Sequence, residues 1–228
     1  RFSCPLETFH TPGTEVMPEE EFTNAIHTWI IGEHAFTRLD PRLETLVLAA
    51  LGLQPSPVAL RNRHISPVLG DRRIREIENN ILSYLFPPDL PDVAMPEPFT
   101  IRQLTLQDAD ALAEMQAACQ PDEVDEGEVS VEDEIGFGCF DGPRLAAVAT
   151  GFRLTGFMDI GVLTHPNYRR RGLGKATVVA LSRWCIEHDV IAQYRCRVDN
   201  LGSYNIARAL NFNLVFEQQS IYLVSEDD

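Results

Sequence analysis

The stretch from Val162 to Lys175, Val-Leu-Thr-His-Pro-Asn-Tyr-Arg-Arg-Arg-Gly-Leu-Gly-Lys, constrains this chain more than any other. It opens at the end of an apolar run, Met158 to Thr164, which suits a buried strand. His165, Pro166 and Asn167 make a turn, and His165 is expected to shape that turn rather than to move protons. A helix rich in apolar residues follows, and its first turn is expected to hold three arginines, two glycines and a lysine. A helix start gathers unpaired backbone N–H groups and the positive end of the helix dipole. Glycines there let a ligand come up to the backbone. Together these features predict a site for a phosphate-bearing ligand.

Spacing excludes two other phosphate loops. A Walker loop needs glycine five residues before Gly174, where Arg169 stands, and Ser or Thr after Lys175, where Ala176 stands. A dinucleotide fingerprint needs a third glycine at Thr177. What fits is Arg-x-x-Gly-x-Gly, read as Arg169, Gly172 and Gly174 and preceded by Pro166-x-Tyr168-Arg169. This resembles the acyl-CoA-binding motif of the GNAT superfamily of N-acetyltransferases. A second element, Asn200-x-x-Ser203 ending at Leu210-Asn211-Phe212, resembles the family's Asn-x-x-Ser/Ala helix that ends in Gly-Phe.

The chain order agrees with that resemblance from about residue 99 to 225. Phe99, Ile101 and Leu104 suggest a strand, and Thr105 with Asp108 resembles a capping box opening a helix through Leu112, Met115 and Cys119. Pro121 to Glu134, dense in carboxylates and free of basic residues, reads as a solvated loop or as a rim attracting cationic acceptors. Ile135 to Phe140 and Leu145 to Leu154 read as a hairpin about Asp141-Gly142, and Phe157 to Thr164 as the next strand. The helix after Gly172 is apolar nearly all round, so it is expected deep in the core. Tyr194, Cys196 and Val198 alternate with Gln193, Arg195 and Arg197, as a half-buried strand does. A short helix with Ile206 and Leu210 and a terminal strand over 212–224 close the chain. The expected fold is α/β (α+β): a GNAT-like mixed central sheet flanked by helices, preceded by a small, mainly helical domain.

That first domain, residues 1–86, is expected to be helical. Phe22, Ile26, Trp29 and Ile30 fall on one helical face, Asp40-Pro41 starts a helix that stops at Gly52, and Asp71 opens a third with Ile74, Ile77, Ile81 and Leu85. Proline crowding over 87–98 predicts a semi-rigid linker, with the GNAT-like domain at 99–228.

The chain's 228 residues suffice for one large domain or two small ones, and 44% apolar with 23% charged residues are ordinary for a globular protein. No apolar run approaches the ~20 residues of a membrane helix and no signal-peptide pattern opens the chain, so a cytoplasmic location is expected. The chain begins with Arg1 rather than Met, so a preceding piece is expected. Five scattered cysteines without a CxxC pair, and no HExxH, indicate reduced thiols and no metal site. A net charge of −15 disfavours nucleic acid and anionic membrane as partners and mildly favours a cationic acceptor.

The resemblance implies acetyl-CoA as acyl donor and a small-molecule or peptidyl amine as acceptor. Backbone groups of Val162 and Thr164 would bond the pantetheine arm, and the N–H of Leu163 or Thr164 would polarise the thioester carbonyl. Backbone N–H groups from Arg170 through Arg171, Gly172, Leu173 and Gly174 to Lys175 would wrap the pyrophosphate. Arg169, Arg171 or Lys175 would add charge-assisted bonds. Asn200 and Ser203 would face the distal pantetheine or the sulfur. Many relatives carry a tyrosine seven residues after the motif asparagine as proton donor; here that residue is Ala207, with Tyr204 as the substitute candidate. Asp159 and Glu134 are candidate bases, beside a water chain, and a bulge is expected in the strand bearing Asp159. The rival expectation is a catalytically silent acyl-CoA-binding sensor or interaction module; transfer of a longer acyl group is a third.

Overall fold

The computed structural model describes residues 6–70, 72, 74–87, 89–94, 97–154 and 156–224. In chain order the main elements begin with β1 (Gly13–Pro18), β2 (Ala25–Ile31), β3 (His34–Leu39), α1 (Glu44–Gly52), α2 (Asn62–Ile65) and β4 (Ile74–Leu85). There follow β5 (Thr100–Gln103), α3 (Ala109–Ala117), α4 (Pro121–Gly127), β6 (Ile135–Asp141), β7 (Arg144–Leu154) and β8 (Phe157–Thr164). The last are α5 (Leu173–Glu187), β9 (Ile191–Arg197), α6 (Leu201–Ala209) and β10 (Asn213–Leu223). The chain packs as two compact units, one of Arg1–Leu82 with Val215–Asp228 and a second of Ser83–Leu214.

The first unit is not mainly helical. Its strands run in the order β1-β3-β2-β10-β4, with β1 parallel to β3 and β2 antiparallel to both β3 and β10. The stripe Phe22, Ile26, Trp29 and Ile30 matches helical spacing by coincidence. In β2 the side chains of Ile26, Thr28 and Ile30 are buried at every second position, and this β-branched and aromatic run favours a pleated surface. Ile74, Ile77, Ile81 and Leu85 likewise belong to the twelve-residue strand β4; Asp71, expected to open a helix there, lies outside the described residues. One helical expectation holds: Asp40 caps a turn at Pro41–Leu43, accepting from the Arg42 N–H at 2.9 Å, and α1 follows to Gly52. Ile26, Leu39, Val47, Leu60, Ile65 and Ile221 form this unit's core. At about 1.5–3 kcal/mol for each fully buried aliphatic side chain, that face is the unit's main source of stability.

In the second unit the strands run β9-β8-β7-β6-β5, antiparallel except for the parallel pair β8–β9. Leu112 and Met115 of α3 pack with Val148 and Leu163. The long helix α5 is buried at Leu173, Ala176, Val178, Val179, Leu181 and Cys185, as its apolar circumference requires. Pro121–Gly127 is helical, so the expected loop is in part α4. The proline-rich segment has no helix or strand among its described residues, with Pro88 and Pro96 outside them. It is nonetheless held within the second unit, where the Asp89 carbonyl accepts from Asn211 Nδ2 at 2.9 Å. The unit boundary therefore falls at 82/83, not within 87–98, and residues 215–228 group with the first unit.

The Thr105–Asp108 capping box is present. Asp108 accepts from the Thr105 N–H at 2.9 Å and receives Arg102 Nη2 at 2.6 Å. The Arg102 guanidinium, ahead of the cap hydrogen bonds, draws the buried Asp108 carboxyl down to about 2. A depressed carboxyl stabilises the fold above its unfolded value near 4, and that contribution disappears as pH falls toward about 2. Asp108→Asn should therefore cost at most about 2 kcal/mol at neutral pH, with the deficit closing on acidification; denaturant titrations of both proteins at several pH values check this.

Candidate functional site

The site is created by a ladder that stops. Strands β8 and β9 pair only at Phe157–Asp159 with Ile191–Gln193, although β8 continues to Thr164 and β9 to Arg197. Beyond the last pair they part, and a cavity of 570 Å³ lies in the fork. That volume suits a small-molecule or cofactor site. The walls include Ile160, Val162, Leu163 and Thr164 of β8, Tyr194 and Arg195 of β9, and Glu123, Glu126 and Gly127 of α4. The start of α5 and the segment Asn200–Ile206 complete it.

The turn after β8 is built by its own side chains. His165 Nδ1 faces the Asn167 N–H at 3.2 Å, and Pro166–Tyr168 form a single 3-10 turn. The arginines sit in the connection before the helix, not in its first turn. Arg170 has φ 62°, and α5 begins only at Leu173, behind Gly172 at φ 77°. Two left-handed residues in quick succession bring the chain round so that the N–H groups at the start of α5 border the cavity. Arg169, Arg170, Gly172, Leu173, Gly174 and Lys175 all line it; Arg171 does not, its guanidinium lying 5.4 Å from the Tyr168 ring centroid.

Asn200 has two roles in the geometry. Its Oδ1 caps α6 by accepting from the Ser203 N–H at 3.0 Å, and its Nδ2 donates to Glu126 Oε2 at 2.9 Å. Asn200 and Ser203 both line the cavity. At the far end of α6 Asn211 adopts φ 59° and Phe212 N–H bonds Ala207 O at 3.0 Å, so asparagine takes the left-handed cap where the family motif has glycine.

The acidic segment is a wall, and its carboxylates meet the cleft's cations. Glu123 receives Arg169 Nη2 at 2.9 Å, Glu126 lies 3.4 Å from Arg197 Nε, and Glu128 receives Arg195 Nη2 at 2.5 Å. The Arg169 bond is the first cause of a lowered Glu123 pKa. Sequence alone pointed to neither the helix nor these pairings, because the partners lie 46 to 71 residues apart (169 − 123 and 197 − 126).

The catalytic candidates are dispersed. Asp159, only 4% exposed, accepts from Gln193 Nε2 at 2.8 Å and Arg195 Nε at 3.3 Å, and it is not among the cavity-lining residues. The β7–β8 register is unbroken from Leu154↔Phe157 to Ala147↔Thr164, so the bulge expected in β8 is absent; the irregularity lies in the β6–β7 pairing between Cys139 and Phe140, where Ala146 of β7 is skipped. Glu134 is held by Arg153, which lowers its pKa, and it too lies outside the cavity lining. Tyr204 is half-buried, with the Arg208 guanidinium 5.7 Å from its ring centroid, while its neighbours Asn205 and Ile206 line the cleft. Among the described residues no group of three or more His, Cys, Asp or Glu is placed to hold a metal ion, and Cys119, Cys139, Cys185 and Cys196 are buried free thiols.

A parallel strand pair splayed over a glycine-opened helix encloses a cleft of cofactor size. A GNAT acetyltransferase family model matches residues 131–221. A Streptomyces virginiae protein, described as an uncharacterized N-acetyltransferase in the mutA 5' region, is 30% identical over 190 residues, covering 75% of this chain and 78% of its own. The chain belongs to the GNAT acetyltransferases and is an acetyl-transferring enzyme of that type. Its fold is similar to a GCN5-related N-acetyltransferase from Sphaerobacter thermophilus, with TM-score 0.59, 13% identity, and coverage of 83% of this chain and 72% of that one. A GNAT acetyltransferase from Colwellia psychrerythraea gives TM-score 0.55 at 14% identity, covering 82% and 76%.

Position of the α4 wall depends on bare backbone. A Cβ at Gly161 would lie 2.3 Å from Gly127 O and 2.8 Å from Glu128 O, and neither backbone atom can rotate aside. Gly161→Ala should force the end of α4 outward and cost roughly 1–3 kcal/mol, measured by denaturant unfolding.

Proposed function

We propose that the protein moves an acetyl group from acetyl-CoA to a primary amine of a small molecule or peptide, by direct attack of the amine on the thioester. The observation that carries this reading is the fork between β8 and β9, running from the N–H groups at the start of α5 to the last paired residues of the two strands. Phosphates rest on the amides of Arg170 to Lys175, with Arg169 and Lys175 adding charge. The pantetheine arm bonds backbone groups of Val162 and Thr164, which have no ladder partner on the β9 side. Of the two candidate donors, the N–H of Thr164 faces the thioester carbonyl, whose oxygen gathers negative charge during attack; Leu163, two residues before the His165 N–H that bonds Ala146 O, is turned to β7.

Glu123 and Glu126 line the opposite wall, and once Arg169 turns from Glu123 to a phosphate the freed carboxylate favours a cationic amine. Deprotonation of that amine runs through water or through a carboxylate freed from its arginine. Of the two candidate bases, Asp159 is bonded to the cavity-lining Arg195, whereas Glu134 is held by Arg153 away from the lining. Net charge −15 argues against nucleic acid and anionic membrane as partners, and buried free thiols agree with a cytoplasmic setting.

A second reading, a silent acyl-CoA sensor, is favoured by one observation. Ala207 is buried where relatives carry a donor tyrosine, and Tyr204 is not in the cleft wall. An assay of acetyl-CoA with a broad amine panel and a free-thiol readout separates the two. We expect amine-dependent thiol release, and tight binding without release on any amine supports the sensor. Longer acyl thioesters in the same assay test the donor preference.

Gly172→Glu should abolish CoA binding, since it places bulk, a carboxylate and an unfavourable left-handed φ beside the pyrophosphate. Unchanged affinity in calorimetry would refute this placement of the phosphates.

A further inference from the structure

The helix-covered face of the first unit's sheet does not stay apolar. On β10, Ile221 and Leu223 lie in the core, and the same-face positions before them are Gln219 and Glu217. Between α2 and this polar stretch lies a cavity of 300 Å³, at the lower end of ligand-site volumes. Gln219 and Asn79 of β4 form one side, and Arg61, Asn62, Arg63 and Ser66 the other. Among the described residues no carboxylate lines it, although the whole chain carries a net charge of −15. The wall on the α2 side is fixed by its own bonds. The N–H of the buried Asn62 donates to Gln219 Oε1 at 2.9 Å and its Nδ2 to Ser220 O at 3.3 Å, while Ser66 Oγ donates to Asn62 O at 2.9 Å. Polar groups set between a helix and a sheet forgo the apolar burial that stabilises the rest of the unit.

The side chains at the rim add a second indication. His64 Nδ1 accepts from the Arg61 N–H at 3.2 Å, and a neutral imidazole has one acceptor nitrogen, so Nε2 carries the hydrogen. Burial first, then the charges of Arg63 and Arg61, lower the His64 pKa and keep the ring neutral. Its Nε2 nevertheless lies 3.2 Å from Arg63 Nε, a nitrogen that can only donate. Two N–H groups thus face each other, an arrangement that an anionic oxygen accepting from both would relieve. Arg63 is exposed and pairs with no carboxylate among the described residues, whereas Arg61 Nη1 donates to Glu217 Oε2 at 2.5 Å. We propose that this cavity binds a small molecule through a carboxylate or phosphate group, gripped by the Arg63 guanidinium and the His64 Nε2–H. A guanidinium fork matches either oxyanion, and the half-buried Asn79 amide meets the rest of the molecule. The first unit thus carries a ligand site of its own. The site is independent of the acyl-CoA reading, since the two cavities share no lining residue.

The test follows the His64 ring nitrogens by NMR in the full chain, carrying nitrogen-15 histidine and assigned with His64→Gln. The protein is titrated with inorganic phosphate and, separately, with succinate, against sodium chloride at matched ionic strength. A saturable shift of His64 Nε2 with phosphate or succinate, and none with chloride, is the expected result. Tighter phosphate identifies a phosphate-bearing ligand, and tighter succinate a carboxylate-bearing one. Arg63→Gln should weaken that anion about tenfold. Its melting temperature should not move, because Arg63 is an exposed side chain outside the core. The same shift should persist in Gly172→Glu, where the cleft of the second unit is disabled. A shift that chloride reproduces or that never saturates overturns the proposal. So does unchanged affinity in Arg63→Gln, or loss of the shift in Gly172→Glu, which would trace the anion to the cleft.

Discussion

Two parallel strands that stop pairing after three residues are the constraint from which the rest of this site follows. Backbone N–H and C=O groups must find partners, and a ladder that ends inside a sheet leaves a row of them facing a gap. Beyond Asp159 and Gln193 that gap is the cavity, with β8 presenting Val162 to Thr164 to it and β9 presenting Tyr194 and Arg195. The turn through His165 to Gly172 then aims the start of α5 at the same space. Backbone that would be a defect elsewhere becomes the recognition surface here.

Charge is organised around the same opening. A chain of net charge −15 keeps cations at the cleft by pairing them with carboxylates in and just after α4: Arg169 with Glu123, Arg195 with Glu128, Arg197 with Glu126. These pairs are partly exposed, and such pairs contribute little to stability, typically about 0–1 kcal/mol each. Their weakness leaves Arg169 free to exchange its carboxylate partner for another anion. The packing that holds α4 in range is stronger, because Gly161 and Gly127 let the backbones meet without side chains between them.

Local signals in the sequence carried well where the determinants are local. Asp40-Pro41 and the Thr105–Asp108 box depend on a few neighbouring residues, and each is found as its residue types require; the Asn200 cap and the left-handed Asn211, seen in the structure, are equally local. The glycine-opened turn after β8 was legible for the same reason, and it led to most of the cleft wall. Ile26 and Trp29 in β2, and the isoleucines of β4, show where periodicity misleads. Short apolar runs satisfy helical and strand spacing together, and only the partners across the sheet decide between them.

By itself the sequence determined the family-type fold of the second unit, the glycine-opened turn after β8 and the caps of its helices, because backbone conformation there is set by residues within a few positions. Tertiary structure alone decided that the strands part after Asp159, that β10 pairs with β2, and that α4 lies against Gly161. Each of these depends on groups distant along the chain competing for the same buried space, and no local pattern of residues encodes which of them wins.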